Sequence, residues 1–417
     1  MKTDKIKIVH ILEGFVGGLS TYMCNVLPQL ARRGFDVTLI CSLGRSFPDA
    51  AEKIAELRKK HIKVYIIPMV RQINPFIDLY CFIALLRILF KNRFDIVHTH
   101  CSKAGVLGRI AASLAGIGIR CHSSHCFAFL RCGNSFTKKV YFIIEKLLAR
   151  LTTRFIAVSQ AEADSAKEYG LFPDHKCAIV NNGLRCKEDP SLSDKSASEI
   201  TGKTSLEVPE DVFIVTTACR LVEYKGIFVL LEAAKLFRSN CVFLLAGEGK
   251  LKPKIEQYII ENDLTKKVKI LGHVSHMQKI YKISDVIVLC SELEGQPYLL
   301  LEAMRARCPI IATEVEGNKE LLANQRGIMV QPEAGKIAEA VDELLADEIK
   351  KERLVQNAYD YFCRYHSLEN QILQLTDIYK LSLFDIGERK HIEDFIHTNS
   401  CIEQSQRRTI KETTAYK

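Results

Sequence analysis

No stretch of this 417-residue sequence approaches the roughly 20 apolar residues that a membrane-spanning helix needs. The longest candidate, Leu79 to Phe90, is interrupted by Arg87. The N-terminal segment carries Asp4 where a secretory signal would be basic, and its apolar run ends at Leu12. We therefore interpret this segment as a first β-strand and expect a cytoplasmic protein.

The 15 cysteines include no CxxC pair and are spread over a long chain, which argues against a disulfide scaffold. Many lie inside apolar runs, so we expect reduced core residues. One stretch is rich in residue types that bind metals, but its spacing fits no standard zinc pattern. It contains Cys121, His122, His125, Cys126 and Cys132. The sequence also lacks a DxD motif, so we expect neither a bound metal ion nor a cofactor.

Positive charge is concentrated in the first part of the chain. Residues 1–190 contain 28 Lys and Arg against 15 Asp and Glu, a net charge of +13, whereas the remainder carries −4. A basic half is typical of proteins that bind nucleic acid, anionic membranes or phosphorylated ligands. No zinc-finger spacing, RNA-binding aromatic signature or lysine tract supports nucleic acid, so we expect no nucleic-acid partner.

Strands alternate with helices in two successive blocks. The first begins with the continuous apolar run of residues 6–12, followed by a Gly-rich loop, a helix beginning near Ser20 and a strand from Asp36 to Cys41. The second restarts at Val212. Residues 186–210 lack hydrophobic periodicity and indicate a linker. The pattern predicts an α/β protein with two facing Rossmann-like domains and ligands in the cleft between them.

We place the first domain at 1–190, the linker at 191–210, the second domain at 211–364 and a polar tail at 385–417. The second block is predicted to end in a helix over 349–380, and a crossover helix at about 365–384 would pack back on the first domain.

The sharpest motif is the segment from Glu294 to Glu302, which follows an apolar strand. Gly295 permits a tight turn and Pro297 suits a helix start, so one glutamate would lie in the loop and the other on the helix. Backbone amides near Tyr298 to Leu300 would face a phosphate. The alternative is an ordinary amphipathic helix with a surface glutamate.

Two further strand ends carry polar groups. Arg220 and Lys225 lie between a strand and a helix, where two cations can hold a diphosphate and stabilise it as a leaving group. Gly247 and Glu248 belong to a Gly-Glu-Gly turn that would bring backbone close to a ligand. The alternative for the cations is a pair of solvated surface charges.

With these motifs the sequence resembles the retaining glycosyltransferases of family 4, which have the GT-B architecture. The resemblance covers nearly the whole length. It is carried by KIVHILEGFVGGLST, DIVHTHCSKAGVLGRIAASLAG, AVSQAEADSAKEYG, IVNNGL, CRLVEYKG, LLAGEGK, KILGHV and SELEGQPYLLLEAMRARCPIIATEVEGNKEL. The last block matches the EX7E element of the family.

The resemblance implies roles for individual residues in binding a nucleotide sugar such as a UDP- or GDP-sugar. Glu302 would bind the ribose, Glu294 the hydroxyls of the transferred sugar, and Arg220 with Lys225 the diphosphate. The remaining donor-binding positions are expected to be Gly17, Gly18, Gly247, Glu248, Tyr298 and Leu299.

His125 aligns with a histidine that in the family contacts the donor sugar near the anomeric carbon. Its role would be positional, and the alternative is a packed histidine at a strand end. His122 is a less favoured substitute. His100, Ser102 and Lys103 also follow a strand and would line the acceptor side, although strand-end packing explains them equally well.

Four residues depart from the family pattern, because Cys126, Cys219, Arg307 and Glu316 replace glycine or another small residue. A side chain at a turn with positive φ costs on the order of 1 kcal/mol. None of the four changes removes a charged ligand-binding group.

The expected activity is retaining transfer of a hexose from a nucleotide sugar to a glycan or polyprenyl-linked acceptor in cell-surface polysaccharide biosynthesis. Residues 135–154 look like a basic amphipathic helix that could place the protein on the inner face of an anionic membrane, or equally a packed helix with a charged outer face. The rival functions are a nucleotide-sugar epimerase or hydrolase and a non-catalytic nucleotide-sugar-binding partner.

Overall fold

The computed structural model describes residues 5–186 and 202–385. The predicted linker is described only from residue 202, and the predicted tail lies outside the described residues except for Asp385. The chain divides into two compact units, Met1–Leu373 and Gln374–Lys417, and the first unit contains both sheets. Of the second unit, the structure describes the end of one helix, residues 374–385.

The first sheet has seven parallel strands in the order β3-β2-β1-β4-β5-β6-β7. The strands are β1 (Lys7–Leu12), β2 (Asp36–Cys41), β3 (Lys63–Ile66), β4 (Ile96–His100), β5 (Ile119–Ser123), β6 (Arg154–Ala157) and β7 (Cys177–Ile179). The central strands are almost entirely buried, as expected for parallel strands with helices on both faces.

Six helices accompany this sheet: α1 (Gly18–Arg32), α2 (Ala50–Lys59), α3 (Pro75–Asn92), α4 (Ser102–Leu114), α5 (Ser135–Ala149) and α6 (Gln160–Glu168). Helix α1 packs against α2, whereas α4 packs against both α3 and α5. Helix α5 stops five residues before the end of the amphipathic segment predicted over 135–154, because Arg154 already belongs to β6.

The second sheet has six parallel strands in the order β10-β9-β8-β11-β12-β13. They are β8 (Phe213–Ala218), β9 (Cys241–Ala246), β10 (Val268–Gly272), β11 (Val286–Leu289), β12 (Ile310–Thr313) and β13 (Ile328–Val330). The helices are α7 (Ile227–Leu236), α8 (Lys252–Glu261), α9 (Met277–Ile283), α10 (Tyr298–Arg305), α11 (Glu316–Leu322), α12 (Ala334–Ala346), α13 (Glu348–Tyr365) and α14 (368–385). Two parallel sheets in one α/β chain confirm the predicted fold class.

The single helix predicted over 349–380 is wrong, since the chain breaks between α13 and α14. There, His366 and Ser367 join the segment that leaves the first sheet. The carbonyl of His366 accepts from Leu184 N (3.0 Å), Leu184 O accepts from Leu368 N (2.9 Å), and Leu184 pairs with Ser367 as an isolated β-bridge. These bonds occupy backbone groups that a continuous helix would need for itself.

The segment leaving the first sheet is also fastened to the loop before α10. Asn182 N donates to Gln296 Oε1 at 2.5 Å, and Asn182 Nδ2 donates to the Gln296 carbonyl at 3.1 Å. Both side chains are buried. In the part of the chain that the structure describes, no helix is both long and apolar enough to cross a membrane.

Candidate active site

The carboxyl ends of strands from both sheets line one cleft, with a volume of about 1640 Å³. In each sheet the strand order reverses beside the first strand, at β1/β4 and at β8/β11. Such switch points are where loops splay apart and open α/β sheets bind ligands. The cleft is lined by residues from the loops after β1, β4, β5, β8 and β11.

Lys225 and Glu294 meet in the cleft as an ion pair between Nζ and Oε1. Their side chains are only 14% and 12% exposed, so neither charge is freely solvated. Lys225 ends the short turn after β8, and Glu294 lies in the loop after β11. The neighbouring strands β8 and β11 therefore bring together two groups that are 69 residues apart in sequence.

Tyr224 gathers three cations around its ring. The Lys225 Nζ atom lies 5.6 Å from the ring centroid, and the guanidinium carbons of Arg220 and Arg131 each lie at 5.8 Å. Arg220 also donates to the Tyr224 hydroxyl. A group carrying several negative oxygens would meet all three charges here.

Arg131 was not predicted, although it supplies a cation from the first sheet to this group. Its Nη2 donates to the His125 carbonyl at 3.0 Å. Sequence reasoning could have considered it because it lies six residues after His125 in an otherwise apolar segment. No motif spacing distinguished it from the other basic residues of that half.

Glu302 lies on α10, where its Oε2 accepts a hydrogen bond from the Tyr281 hydroxyl at 2.7 Å. Burial raises the pKa of the Glu302 carboxyl, although the bond from Tyr281 and the charge of Arg305 favour its ionised form. Glu302 lines the same cleft as Glu294, so the two ends of the predicted motif do share one site. Tyr281 was not predicted.

The Gly-rich loop after β1 approaches α10 closely. Gly17 has φ +57°, and a Cβ on Gly18 would lie 2.9 Å from Cδ2 of Tyr298. Both glycines line the cleft beside the first turn of α1. Leu299 is largely buried at the cleft wall, and the Leu300 amide donates to the Pro297 carbonyl (3.2 Å), which removes one of the amides predicted to face a phosphate.

Gly247 and Glu248 have different surroundings. Gly247 lines the cleft with φ +141°, and a Cβ there would lie 1.9 Å from the Cys219 carbonyl oxygen, so this position requires glycine. The Glu248 carboxylate instead pairs with Lys252 at 2.9 Å, one helical turn further along the chain, and is not among the residues lining the cleft. Among the residues predicted to bind the donor, Glu248 is the one that the cleft lining does not include.

His125 lines the cleft with φ +48°, and Cys126 follows with φ +81°. Burial lowers the pKa of His125 to about 4, with a further contribution from the charge of Arg131, so the ring is neutral at pH 7. Its Nε2 lies 2.9 Å from Nδ1 of His100. His122 instead faces Thr99, with Nδ1 2.9 Å from Oγ1.

The three residues predicted for the acceptor side do not lie in one environment. His100 is fully buried and does not line the cleft. It could therefore influence a ligand only indirectly, through its bond to His125. Ser102 and Lys103 do line the cleft. Lys103 is not a solvated lysine, since its Nζ donates to Asp78 at 2.5 Å and to the Gln72 carbonyl at 3.0 Å.

A second contact joins the two sheets at the cleft. His273, after β10, lies 3.0 Å from Asp49 and stacks on Phe47 with ring centroids 4.4 Å apart. Burial alone would raise the pKa of Asp49, but hydrogen bonds from His273 and Lys53 outweigh it and lower that pKa. None of these residues was predicted.

Three buried histidines are close enough to hold a metal ion, namely His10, His98 and His100. Two of their nitrogens already face each other, since His10 Nδ1 lies 3.0 Å from His100 Nε2. His98 Nε2 lies 3.0 Å from Ser123 Oγ. Each of the three rings therefore already has a polar contact that does not involve an ion.

Two parallel Rossmann-like sheets, with carboxylates and cations gathered where their strands end, form the GT-B architecture. The glycosyltransferase family 4 model matches residues 16–188, and the glycosyl transferases group 1 model matches residues 200–361. The chain belongs to this family, as the motifs predicted, and it is a glycosyltransferase.

Among curated relatives, the chain is 30% identical over 331 residues to the UDP-Gal:alpha-D-GlcNAc-diphosphoundecaprenol alpha-1,3-galactosyltransferase of Escherichia coli, covering 77% of this chain and 83% of the relative. It is 26% identical over 364 residues to the capsular polysaccharide biosynthesis glycosyltransferase CapM of Staphylococcus aureus, covering 84% and 90%.

Solved structures share the fold at low sequence identity. Anabaena HepE in complex with UDP and glucose superposes with a TM-score of 0.75 at 19% identity, covering 90% of this chain and 99% of that chain. Sucrose-phosphate synthase from Thermosynechococcus elongatus gives a TM-score of 0.76 at 19% identity, covering 92% and 100%. These structures agree with the GT-B architecture.

Proposed function

We propose that this protein transfers a hexose, with retention of anomeric configuration, from a UDP-sugar to a polyprenyl-diphosphate-linked glycan. The observation that carries the proposal is the shared cleft in which Glu294, Glu302, Lys225 and Arg220 converge. Two acidic acceptors can bind two polyhydroxylated parts of one ligand, while the cations between them bind its diphosphate. The UDP found in HepE and the acceptor named for the Escherichia coli relative support these choices.

In this proposal the donor lies across the cleft with its nucleotide on the second sheet. Glu302 accepts from the ribose hydroxyls, and Glu294 accepts from the hydroxyls of the transferred sugar. Arg220 and Lys225 hold the diphosphate, and the neighbouring Arg131 adds a third positive charge. Gly17 and Gly18 let the first turn of α1 approach the donor from the other side.

Transfer then proceeds by attack of an acceptor hydroxyl on the anomeric carbon from the face that the diphosphate leaves. The bond between carbon and the leaving phosphate oxygen breaks with its electron pair passing to that oxygen. The hydroxyl proton passes to the leaving phosphate. The cations stabilise the charge that develops there, so positioning and electrostatics supply the rate. His125, neutral at pH 7, positions the sugar near its anomeric carbon.

A lipid-linked acceptor requires the first domain to approach a membrane surface. Helix α5 exposes a mixed apolar and basic face formed by Phe136, Lys139, Ile143, Leu147 and Arg150. Its other side borders the cleft through Tyr141 and Ile144. We propose that this face contacts anionic lipid, which would keep the acceptor's diphosphate near the cleft.

Exposed apolar residues also occur on α3, which packs against α4 as α5 does. They are Phe76, Leu79, Tyr80, Ile83 and Phe90. The charged side chains exposed on α3 are basic, Arg87 and Lys91. Exposed apolar side chains together with basic ones favour contact with an anionic membrane over contact with an acidic protein partner.

Two rival functions share the fold. An epimerase or hydrolase would turn over the nucleotide sugar without an acceptor, and a non-catalytic partner would bind it without turnover. Measuring nucleoside diphosphate release with and without a lipid-diphosphate-linked glycan separates all three functions. Acceptor-dependent release, with the sugar found on the acceptor, is expected.

The donor site is tested by Lys225→Ala and Glu302→Ala after thermal-shift screening of a nucleotide-sugar panel has identified the donor. Each change is expected to abolish donor-dependent release of nucleoside diphosphate. Lys336→Ala, on the exposed surface of α12, is the matched control and should retain activity. Unchanged turnover in both site variants would refute the proposed donor site.

The membrane surface is tested by sedimentation with vesicles containing phosphatidylglycerol. Changing Lys138, Lys139 and Arg150 to Glu should release the protein from these vesicles. Changing the exposed Lys254, Lys266 and Lys267 of the second domain to Glu alters the net charge equally and should leave binding intact. Binding that survives the first change would leave α5 as a helix with a charged outer face.

A further inference from the structure

Three histidines form a hydrogen-bonded column that leads from the interior of the first sheet to the cleft. His10 on β1 places Nδ1 3.0 Å from Nε2 of His100 on β4. His100 in turn places Nδ1 2.9 Å from Nε2 of His125. His10 and His100 are completely buried, and only His125 reaches the cleft. Sequence reasoning treated His100 as a ligand contact and did not single out His10.

The parallel register of the sheet produces this column. His10 is paired with His98, and Leu12 with His100, so the side chains of His10, His98 and His100 lie on one face of the sheet. His100 is paired with Ser123 on β5, two residues before His125. The turn at His125, with φ +48°, brings its ring back over the end of β4.

The three rings are neutral, and this makes their tautomers interdependent. Burial lowers the pKa of His10 to about 3 and that of His125 to about 4, and it lowers the pKa of His100 well below its usual value. A neutral imidazole has one N–H donor and one acceptor. Two consecutive bonds therefore leave only two arrangements, with all three N–H groups on Nδ1 or all three on Nε2.

Either arrangement fixes what His125 offers to a ligand. If the protons lie on Nδ1, the cleft meets an N–H donor at Nδ1 of His125, and if they lie on Nε2, it meets an acceptor there. The described residues give that Nδ1 atom no hydrogen-bond partner, so it remains available to a ligand. The tautomer that His10 adopts therefore determines, through His100, the tautomer of His125.

Other side chains pack around the column of three histidines. Tyr22 lies against His100 and His125, with ring centroids at 5.3 and 5.7 Å. Arg131 donates to the His125 carbonyl. The tilted ring of His98 lies 4.2 Å from that of His100 but bonds Ser123. The Ser123 hydroxyl donates to the Ile156 carbonyl at 2.6 Å and so accepts from His98 Nε2.

We propose that His10 and His100 are positioning residues that fix the tautomer and ring orientation of His125, and so determine the hydrogen bond that its Nδ1 makes to the donor sugar. The proposal rests on the proposed function only for the identity of that ligand. Neither His10 nor His100 touches substrate, and both act through His125. The same logic holds the catalytic imidazole of hydrolases in one tautomer through a buried partner.

The experiment compares His10→Leu with His10→Asn in steady-state transfer assays. Leu fills the space but cannot bond His100, whereas the Asn amide can place either a donor or an acceptor where Nδ1 lies. His10→Leu is expected to lower kcat at least tenfold with donor KM changed less than about threefold, and His10→Asn to stay within about threefold of the parent. His122→Leu is the control, because it removes an equally buried strand histidine that bonds Thr99 instead.

Three kinetic results would overturn the proposal: kcat within twofold of the parent in His10→Leu, equal losses in His10→Leu and His10→Asn, or an equal loss in His122→Leu. The last two would show a packing role. Ring ¹⁵N shifts of ¹⁵N-histidine-labelled protein provide a readout independent of turnover, with His125 assigned from His125→Asn. One tautomer of His125 is expected in the parent, and a mixture in His10→Leu.

An unchanged His125 spectrum in His10→Leu would also overturn the proposal. If the parent transfers no sugar from any donor, the proposed function fails, while the spectra still test the column.

Discussion

Breaking the Lys225–Glu294 ion pair should destabilise the protein as well as inactivate it. The two side chains are 14% and 12% exposed, so removing one leaves the other charge poorly solvated. Loss of one partner of a fully buried pair costs about 3–5 kcal/mol. Because some solvent reaches this pair, we expect about 2 kcal/mol for Lys225→Met and for Glu294→Gln. The double variant should cost less than the sum, with a coupling of about 1–2 kcal/mol.

Urea unfolding followed by far-ultraviolet circular dichroism measures this cycle, since the sequence contains no tryptophan for fluorescence. The matched control is the pair Lys336–Glu339 on α12, whose side chains are 61% and 54% exposed. Its cycle should give a coupling near zero. Additive effects at Lys225 and Glu294 would refute the view that the cleft holds two mutually dependent charges.

Three further changes follow from the same geometry. Glu302→Gln should raise the melting temperature near pH 8 while weakening donor binding, because burial raises the pKa of this carboxyl and its ionisation therefore costs stability above that pKa. The difference in melting temperature between variant and parent should vanish as the pH falls. A pH-independent difference in thermal scans would contradict this reasoning. Gly18→Ala should weaken donor affinity about tenfold in calorimetric titration, because its Cβ would press on Tyr298, and an unchanged affinity would argue against the tight loop. Arg307→Gly should alter stability by less than about 1 kcal/mol in urea, because relief of strain at φ +56° offsets loss of the contact with Tyr359 at 3.7 Å; a larger change would show that one effect dominates.

The sheets were predictable wherever burial acts on continuous apolar runs. Strand β2 has the predicted bounds, and β1 begins one residue later than predicted. No bounds were predicted for β5, because Arg120 and His122 interrupt its apolar character. In the folded protein Arg120 donates to the Leu151 carbonyl (2.6 Å) and His122 bonds Thr99, and both bonds depend on residues more than 20 positions away. β13 is only three residues long and gives little periodicity to detect.

The departures from the family pattern show what a missing glycine does and does not reveal. Cys126 and Arg307 do adopt positive φ, as expected for positions where glycine is usual. Cys219 and Glu316 do not, and at Cys219 the close approach comes from Gly247 on the neighbouring strand's loop. Sequence identifies the turn, but the strand packing decides which residue must be small.

Side-chain direction in the site was harder to predict than side-chain location. Glu248 lies at a cleft-forming turn yet pairs with Lys252, a local i,i+4 interaction that sequence alone could have suggested. His100 lies at a strand end but points into the core, because β-strand alternation places it on the face shared with His10. Arg131 reaches Tyr224 only because the two sheets meet, and such a long-range contact has no local signature.

The bonds between Asn182 and Gln296 tie the loop that carries Glu294 to the segment leaving the first sheet. Gln296 follows Glu294 by two residues, so a movement of Asn182 would also shift Glu294, the carboxylate proposed to bind the sugar. Release of the nucleotide product and return of that loop to its starting position would then occur together. A change at Gln296 is therefore expected to affect product release as well as donor binding.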